Sequence, residues 1–217
     1  MKPPLIRCSQ LGRLMTEPKT KAEGPLSIGA KTALREIAAQ AIFGVDFEIR
    51  DKKIEKGNLV EAESIGLLNA VRGLMLEKNT ERRSNEWITG EADLFDASCS
   101  CGHDIKSAWS LQTFPLCVED IASSQRSAYE WQMRGYMALW DCDQWEINHC
   151  MVSTPEGLIG YEDRALHIVD HIAPQHRLMT WRVERDATLE AAIFEKVEHA
   201  REYLKQFIAE FDQRMAA

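Results

Sequence analysis

The chain has 217 residues, room for one α/β domain with a full core and too little for two of ordinary size, so a single domain over residues 1–217 is expected. Apolar residues at 45% and charged ones at 28% are ordinary for a soluble globular protein, and no run approaches the ~18 apolar residues of a membrane span, which excludes a membrane-spanning helix. The net charge of −8 argues against a protein that coats nucleic acid through charge alone.

Charge is unevenly spread. Residues 1 to 35 hold Lys2, Arg7, Arg13, Lys19, Lys21, Lys31 and Arg35 against Glu17 and Glu23, a local excess of +5 that leaves −13 for the rest. A DNA-facing surface is therefore expected near the N-terminus. Pro3, Pro4, Gly12 and several charges interrupt the first fifteen residues, which do not read as a signal peptide, and a cytoplasmic protein is expected. In that compartment the six cysteines stay reduced.

After Gly24, Pro25 and Gly29, the residues Ala33, Leu34, Ile37, Ala38, Ala41 and Ile42 recur at helical spacing, predicting a helix that ends near Gly44. A second helix is predicted over 56–78, with Val60, Ser64, Leu67, Leu68, Val71, Leu74 and Met75 on its buried stripe. Glu61 borders that stripe and can face a sheet, whereas Glu63 lies further round and reads as a solvated charge.

Strands are predicted over 86–96 and 103–110, paired as a hairpin in a central sheet. In a strand, side chains two apart share a face, so Asp104 and Lys106 point at one spot while Ile105 turns into the core. Asp93 ends the preceding strand and brings a second carboxylate. Two carboxylates this close attract a hard cation of the magnesium kind. By itself Asp-x-Lys occurs in many chains as solvated charge.

Between these strands, Cys99, Cys101 and His103 invite a zinc reading. A zinc site wants four ligands and Cys-x-x-Cys rather than Cys-x-Cys, so a simple turn is expected. A helix is predicted over 118–140, with Gln132 and Tyr136 one turn apart on one face. Strands over 144–153 and 177–184 flank a turn at Thr154-Pro155-Glu156-Gly157, and His167, His171 and His176 are expected at the surface. A last helix over 186–212 buries Leu189, Ile193, Val197, Leu204, Ile208 and Phe211.

The order Gly57-x-x-x-Glu61, Thr89-Gly90-x-x-Asp93, Asp104-x-Lys106 and Gln132-x-x-x-Tyr136 resembles the PD-(D/E)XK nuclease superfamily, and within it the lambda-type (YqaJ-like) phage recombination exonucleases. The likeness runs from about Ser9 to about Phe211, opening at Ile6-Arg7-Cys8-Ser9-Gln10-Leu11 and closing at Trp181-Arg182-Val183-Glu184-Arg185-Asp186. It implies a mixed β-sheet flanked by helices, in the restriction-endonuclease-like arrangement. It further implies Glu61, Asp93, Asp104 and the Ile105 carbonyl as ligands of Mg2+, with Mn2+ as a substitute, Lys106 as the active-site lysine, and Gln132 as the residue that orients it or the attacking water. A lysine beside several carboxylates favours its charged form, so Lys106 is expected mainly to orient water and stabilise the pentacovalent state, with proton acceptance in a metal-bound hydroxide pathway left open.

Two features depart from the family pattern. The stretch Ser98-Cys99-Ser100-Cys101-Gly102 alters the spacing between the aspartates, and no residue matches the arginine that in relatives precedes the Ser9 position and holds a DNA 5′-phosphate. Arg7, Ser9 and Arg13 are candidates for what remains of that pocket, and Tyr136 is grouped with them as a candidate DNA contact. Some nucleases of the superfamily carry an iron–sulfur cluster on one early and three late cysteines. Nothing after Cys150 supplies the late ligands, so no cluster is expected. The resemblance implies 5′-to-3′ digestion of double-stranded DNA, a single-strand annealing protein as partner, and a trimeric ring. The motifs leave open a structure-selective endonuclease, a single-strand exonuclease, or a non-catalytic DNA-binding protein on the same fold.

Overall fold

The computed structural model describes residues 4–47 and 51–216. In chain order its elements are β1 (Ile6–Arg7), α1 (Leu11–Leu14), α2 (Ile28–Phe43), α3 (Lys52–Leu59), α4 (Glu61–Arg72), β2 (Arg82–Ser84), β3 (Ile88–Glu91), β4 (Leu94–Asp96), β5 (Cys101–Ser107), α5 (Ser123–Trp140), β6 (Gln144–Cys150), α6 (Glu156–Ile159), β7 (Leu178–Glu184) and α7 (Ala187–Ala216). No helix among the described residues is long and apolar enough to cross a membrane.

Two mixed sheets form. The larger has the order β4-β5-β6-β7, with β5 and β6 parallel and both outer pairs antiparallel. The smaller has the order β1-β3-β2. One face of the larger sheet packs on α5, and behind it α1, α2 and α7 close a core around Trp145, Tyr136, Trp140, Met133, Met137 and Ile193. The other face packs on α4 through Leu67, Leu68, Ile65, Leu94 and Cys150. This is the α/β arrangement of helices on both faces of a mixed sheet that the motif order implies.

The helix predicted to end at Gly44 ends there. Ser27 accepts from the Ala30 N–H at 3.0 Å to start α2, and Gly44, at φ 66°, closes it in the left-handed region. The helix predicted over 56–78 is instead two. Val60, at φ −109°, breaks it, and Gly73, at φ 65°, stops α4 after Arg72. The chain beyond is tied back by Asn69, which exchanges hydrogen bonds with Leu76 at 2.9 and 3.1 Å. Met75, expected on the buried stripe, is 94% exposed because no helix reaches it.

The break at Val60 has a cause in Lys56. Its side chain is fully buried in α3, where its ammonium donates to the Ala108, Trp109 and Val152 carbonyls at 2.6, 3.1 and 2.9 Å. Burial lowers its pKa to about 8. The three bonds clip α3 to the ends of β5 and β6 and set where α4 begins.

The strand predicted over 86–96 is likewise two strands in different sheets, with Ala92 and Asp93 in the bend between them. The Asn79 N–H donates to the Asp93 carbonyl at 2.7 Å and the Asn79 side chain to the Ala92 carbonyl at 3.0 Å, so the bend is pinned from outside. The expected hairpin is β4 with β5, registered Leu94 to His103. Smaller shifts are that β5 runs from Cys101 to Ser107, a short 3-10 turn precedes α5, β6 stops at Cys150, and the turn at Pro155 opens a one-turn helix. His171 and His176 are exposed as expected, but His167 is fully buried. Its Nδ1 lies 3.1 Å from the Thr154 hydroxyl and its Nε2 3.2 Å from Glu162, so both ring nitrogens are used inside the fold.

Gly90 marks a close approach. A Cβ there would stand 2.7 Å from the Tyr136 ring and 2.9 Å from the Cys8 sulfur, both buried. The Gly90→Ala variant is expected to lose about 1–3 kcal/mol through overpacking, read as a lower urea midpoint, and a parental midpoint would contradict this packing.

Candidate active site

A cleft of about 1090 Å³ opens at one end of β5, and Glu61, Asp93, Asp104, Ile105, Lys106 and Gln132 all line it. Three separate stretches of chain thus deliver the acids, and α5 brings the glutamine. Glu61 stands in the first turn of α4, where a carboxylate is favoured by the helix dipole, and pairs with Lys78. Glu63 faces solvent.

Asp104 is 2% exposed, and its Oδ2 lies 2.7 Å from the Lys106 ammonium. Asp93 is fixed by the backbone of the same strand, its Oδ2 accepting the Ile105 N–H at 2.7 Å. Ile105 turns the other way, onto Val60, Leu67 and Leu68. Burial first, and then the neighbouring Asp104 charge, raise the Asp93 pKa to about 7. For Lys106, burial works against the charge, but the attraction of Asp104 and Asp93 outweighs it and the ammonium is held above its ordinary pKa.

Three residues not expected here complete the surroundings of the lysine. The Tyr129 ring lies 5.0 Å from the ammonium in a cation–π contact. Gln125 donates to the Tyr129 hydroxyl at 2.7 Å. His149, registered to Lys106 on β6, is pushed down to about pKa 4 by burial and by the Lys106 charge, so it is a neutral neighbour. A signal for Tyr129 existed in the sequence, since it sits three residues before Gln132 and hence on the same helix face.

The donor set fits a hard divalent cation. It is all oxygen, and buried Asp104 Oδ2 has no hydrogen-bond partner beyond its 2.7 Å ion pair with Lys106. The unfavourable proximity of Asp93 and Asp104 is what such an ion relieves.

The candidate DNA contacts do not join this group. Among the described residues, none from the first thirty-five lines the cleft. Arg7 pairs with Asp46 at 3.0 Å and Arg13 is held by both oxygens of Glu36 at 2.6 and 3.0 Å, while Ser9 is exposed. Lys2 lies outside the described residues. The cations at the cleft are instead Lys53, Lys106 and, through Glu61, Lys78. Tyr136 is 6% exposed, with its ring 5.1 Å from that of Trp145. Its hydroxyl receives the Gln132 amide N–H at 3.1 Å and donates to the Glu91 carbonyl at 3.0 Å. This corrects its grouping with DNA contacts: Tyr136 is a core residue that ties α5 to the strand leading into Asp93.

No protein-family model matches the chain, and no curated protein does. Among solved structures, a phage-related exonuclease from Haemophilus somnus 129PT is 38% identical over 96% of each chain, with a TM-score of 0.88. The chain belongs to the lambda-type (YqaJ-like) exonucleases of the PD-(D/E)XK superfamily. The alkaline exonuclease LHK-Exo from Laribacter hongkongensis shares the fold at 14% identity, with a TM-score of 0.69 over 99% of this chain and 95% of that one. Its complex with dAMP aligns at 16% identity and a TM-score of 0.67, over 98% and 93% of the two chains.

Membership in these exonucleases makes the chain a nuclease and gives the charge balance at β5 a testable consequence. The folded Asp93 pKa of about 7 lies above the ~3.9 of an unfolded aspartate, so its contribution to stability is full below the unfolded value and is lost as pH rises through the folded one. In chelator, the melting temperature of the parent relative to Asp93→Asn is expected to fall between about pH 5 and about pH 8. A difference that stays flat across that window would show that Asp93 is not held protonated.

Proposed function

We propose that this nuclease is a magnesium-dependent exonuclease that degrades double-stranded DNA from a 5′ end, leaving a 3′ strand for a phage-type annealing protein. The observation that carries the reading is the meeting of Glu61, Asp93, Asp104 and Lys106 in one cleft. Assembly as a trimeric ring around the duplex belongs to the same reading and rests on the family resemblance.

Glu61, Asp93, Asp104 and the Ile105 carbonyl would hold the metal. When bound, magnesium supplies neutralisation of phosphate charge and a water of lowered pKa. Lys106, kept as an ammonium by its two aspartates and backed by Tyr129, donates hydrogen bonds to the attacking water and to the phosphate oxygens on which charge grows. Gln132 spends its amide N–H on Tyr136, and its carbonyl oxygen is the acceptor that orients Lys106 or the water. The neutral His149 puts no second positive charge beside the lysine. LHK-Exo has been solved in complex with dAMP, and deoxynucleoside monophosphates are the products that this reading gives to the present chain.

Lys106→Ala and Asp104→Asn are each expected to lower release of acid-soluble nucleotides from linear duplex by at least about 100-fold, with circular dichroism unchanged. Digestion at the parental rate in magnesium by either variant would remove these residues from the reaction. Covalently closed duplex is expected to survive a concentration that consumes linear duplex, and label at a 5′ end to be released before label at a 3′ end. Linearisation of the circle would replace the exonuclease by an endonuclease of the same fold.

A further inference from the structure

The face of β5 turned away from the cleft carries a second group of ligand-type side chains. Cys101 and His103 share that face, and Glu146 is registered opposite His103 on β6. One ligand atom from each lies within 4.8 Å of the others, and all three residues are buried. His103 Nδ1 is 3.4 Å from Glu146 Oε2. That is long for a hydrogen bond and close to the ~3.3 Å between nitrogen and oxygen ligands that a tetrahedral ion holds at ~2.0–2.1 Å.

His103 Nδ1, turned toward Glu146 Oε2, is the ring nitrogen placed to ligate, and Nε2 on its far side is buried without a hydrogen-bond partner. Glu146 is steadied by Arg182 at 2.8 Å and Arg72 at 3.3 Å, the kind of outer partners that orient a ligating carboxylate. Both guanidiniums touch the Glu146 oxygens and oppose a cation, so the site depends on Cys101 binding as the thiolate, which brings a compensating negative charge. Cys99, on the turn before β5, is exposed.

We propose that Cys101, His103 and Glu146 form a metal site, separate from the cleft, for a borderline divalent ion of the zinc kind. A sulfur, nitrogen and oxygen donor set selects such an ion over magnesium. The ion ties β5 to β6 directly behind the strand that presents Asp104 and Lys106, so the site braces the cleft without entering it. The inference does not rest on the nuclease reading.

The test is titration of metal-stripped protein, folded by circular dichroism, with cobalt(II) chloride and then with zinc chloride. One tetrahedral cobalt per chain with a thiolate-to-cobalt charge-transfer band is expected, displaced by zinc, together with a rise in melting temperature on adding zinc. Cys101→Ser and His103→Gln are each expected to weaken zinc by at least ~10-fold and to lose the band. Glu61→Gln, which alters only the all-oxygen cluster, and Cys117→Ser, which removes an exposed thiol, are expected to keep it. Absence of a thiolate band in the parent protein overturns the proposal whatever the variants do. Its persistence in Cys101→Ser, or its loss in Cys117→Ser, overturns it as well by assigning the cobalt to another thiol.

Discussion

An ammonium and two carboxylates share a poorly solvated space at one end of β5, and the fold around them is arranged to make that tolerable. Asp104 is almost without solvent and Lys106 neutralises it at 2.7 Å. Asp93 brings a second carboxyl, whose ionisation is opposed by burial and by Asp104, and it accepts the Ile105 N–H. Burial of unlike charges in contact is costly when either partner is removed, so each of the three constrains the others. The pair points to the α5 face because a strand alternates, and Ile105 anchors the opposite face on α4.

Placement of the remaining acid depends on a cation that never reaches the cleft. Lys56 fills its own hydrogen-bonding capacity with three carbonyls from the ends of β5 and β6, and so ties α3 to the strands that carry Asp104, Lys106 and His149. With α3 fixed, the break at Val60 starts α4 so that Glu61 falls in its first turn, facing Asp93. On the other side, Tyr136 holds α5 to β3 through the Glu91 carbonyl, with Gly90 leaving room for its ring. Gln132 and Asp93 are thereby set by the same tyrosine. A residue of the motif can set the geometry of a cleft without lining it.

The larger sheet has two chemically different faces at β5. Toward α5 it presents hard oxygen donors and an ammonium, and toward α4 a thiol, an imidazole and the Glu146 carboxylate. Both groups use side chains two residues apart on one seven-residue strand. This division follows from strand geometry alone and explains why neighbours in sequence, His103 and Asp104, belong to different surroundings.

Local pattern fixed much of what the sequence could say. The alternation around Ile105 placed Asp104 and Lys106 on one face, helical spacing put Gln132 and Tyr136 on one stripe, and Gly44 ended α2, because each depends on backbone geometry within a few residues. The order of motifs pointed to the family. What the pattern could not contain were contacts between distant segments: the division of 86–96 between two sheets by Asn79, the end of α4 through Asn69 and Leu76, and the use of His167 and Tyr136 inside the core. The N-terminal arginines read as a DNA surface by charge, but their partners Asp46 and Glu36 and their distance from the cleft are set by packing. Residue type and local period settle which side chains share a face; which of them share a site is decided only when strands and helices remote in sequence are brought together, since burial, pairing and pKa depend on neighbours in space.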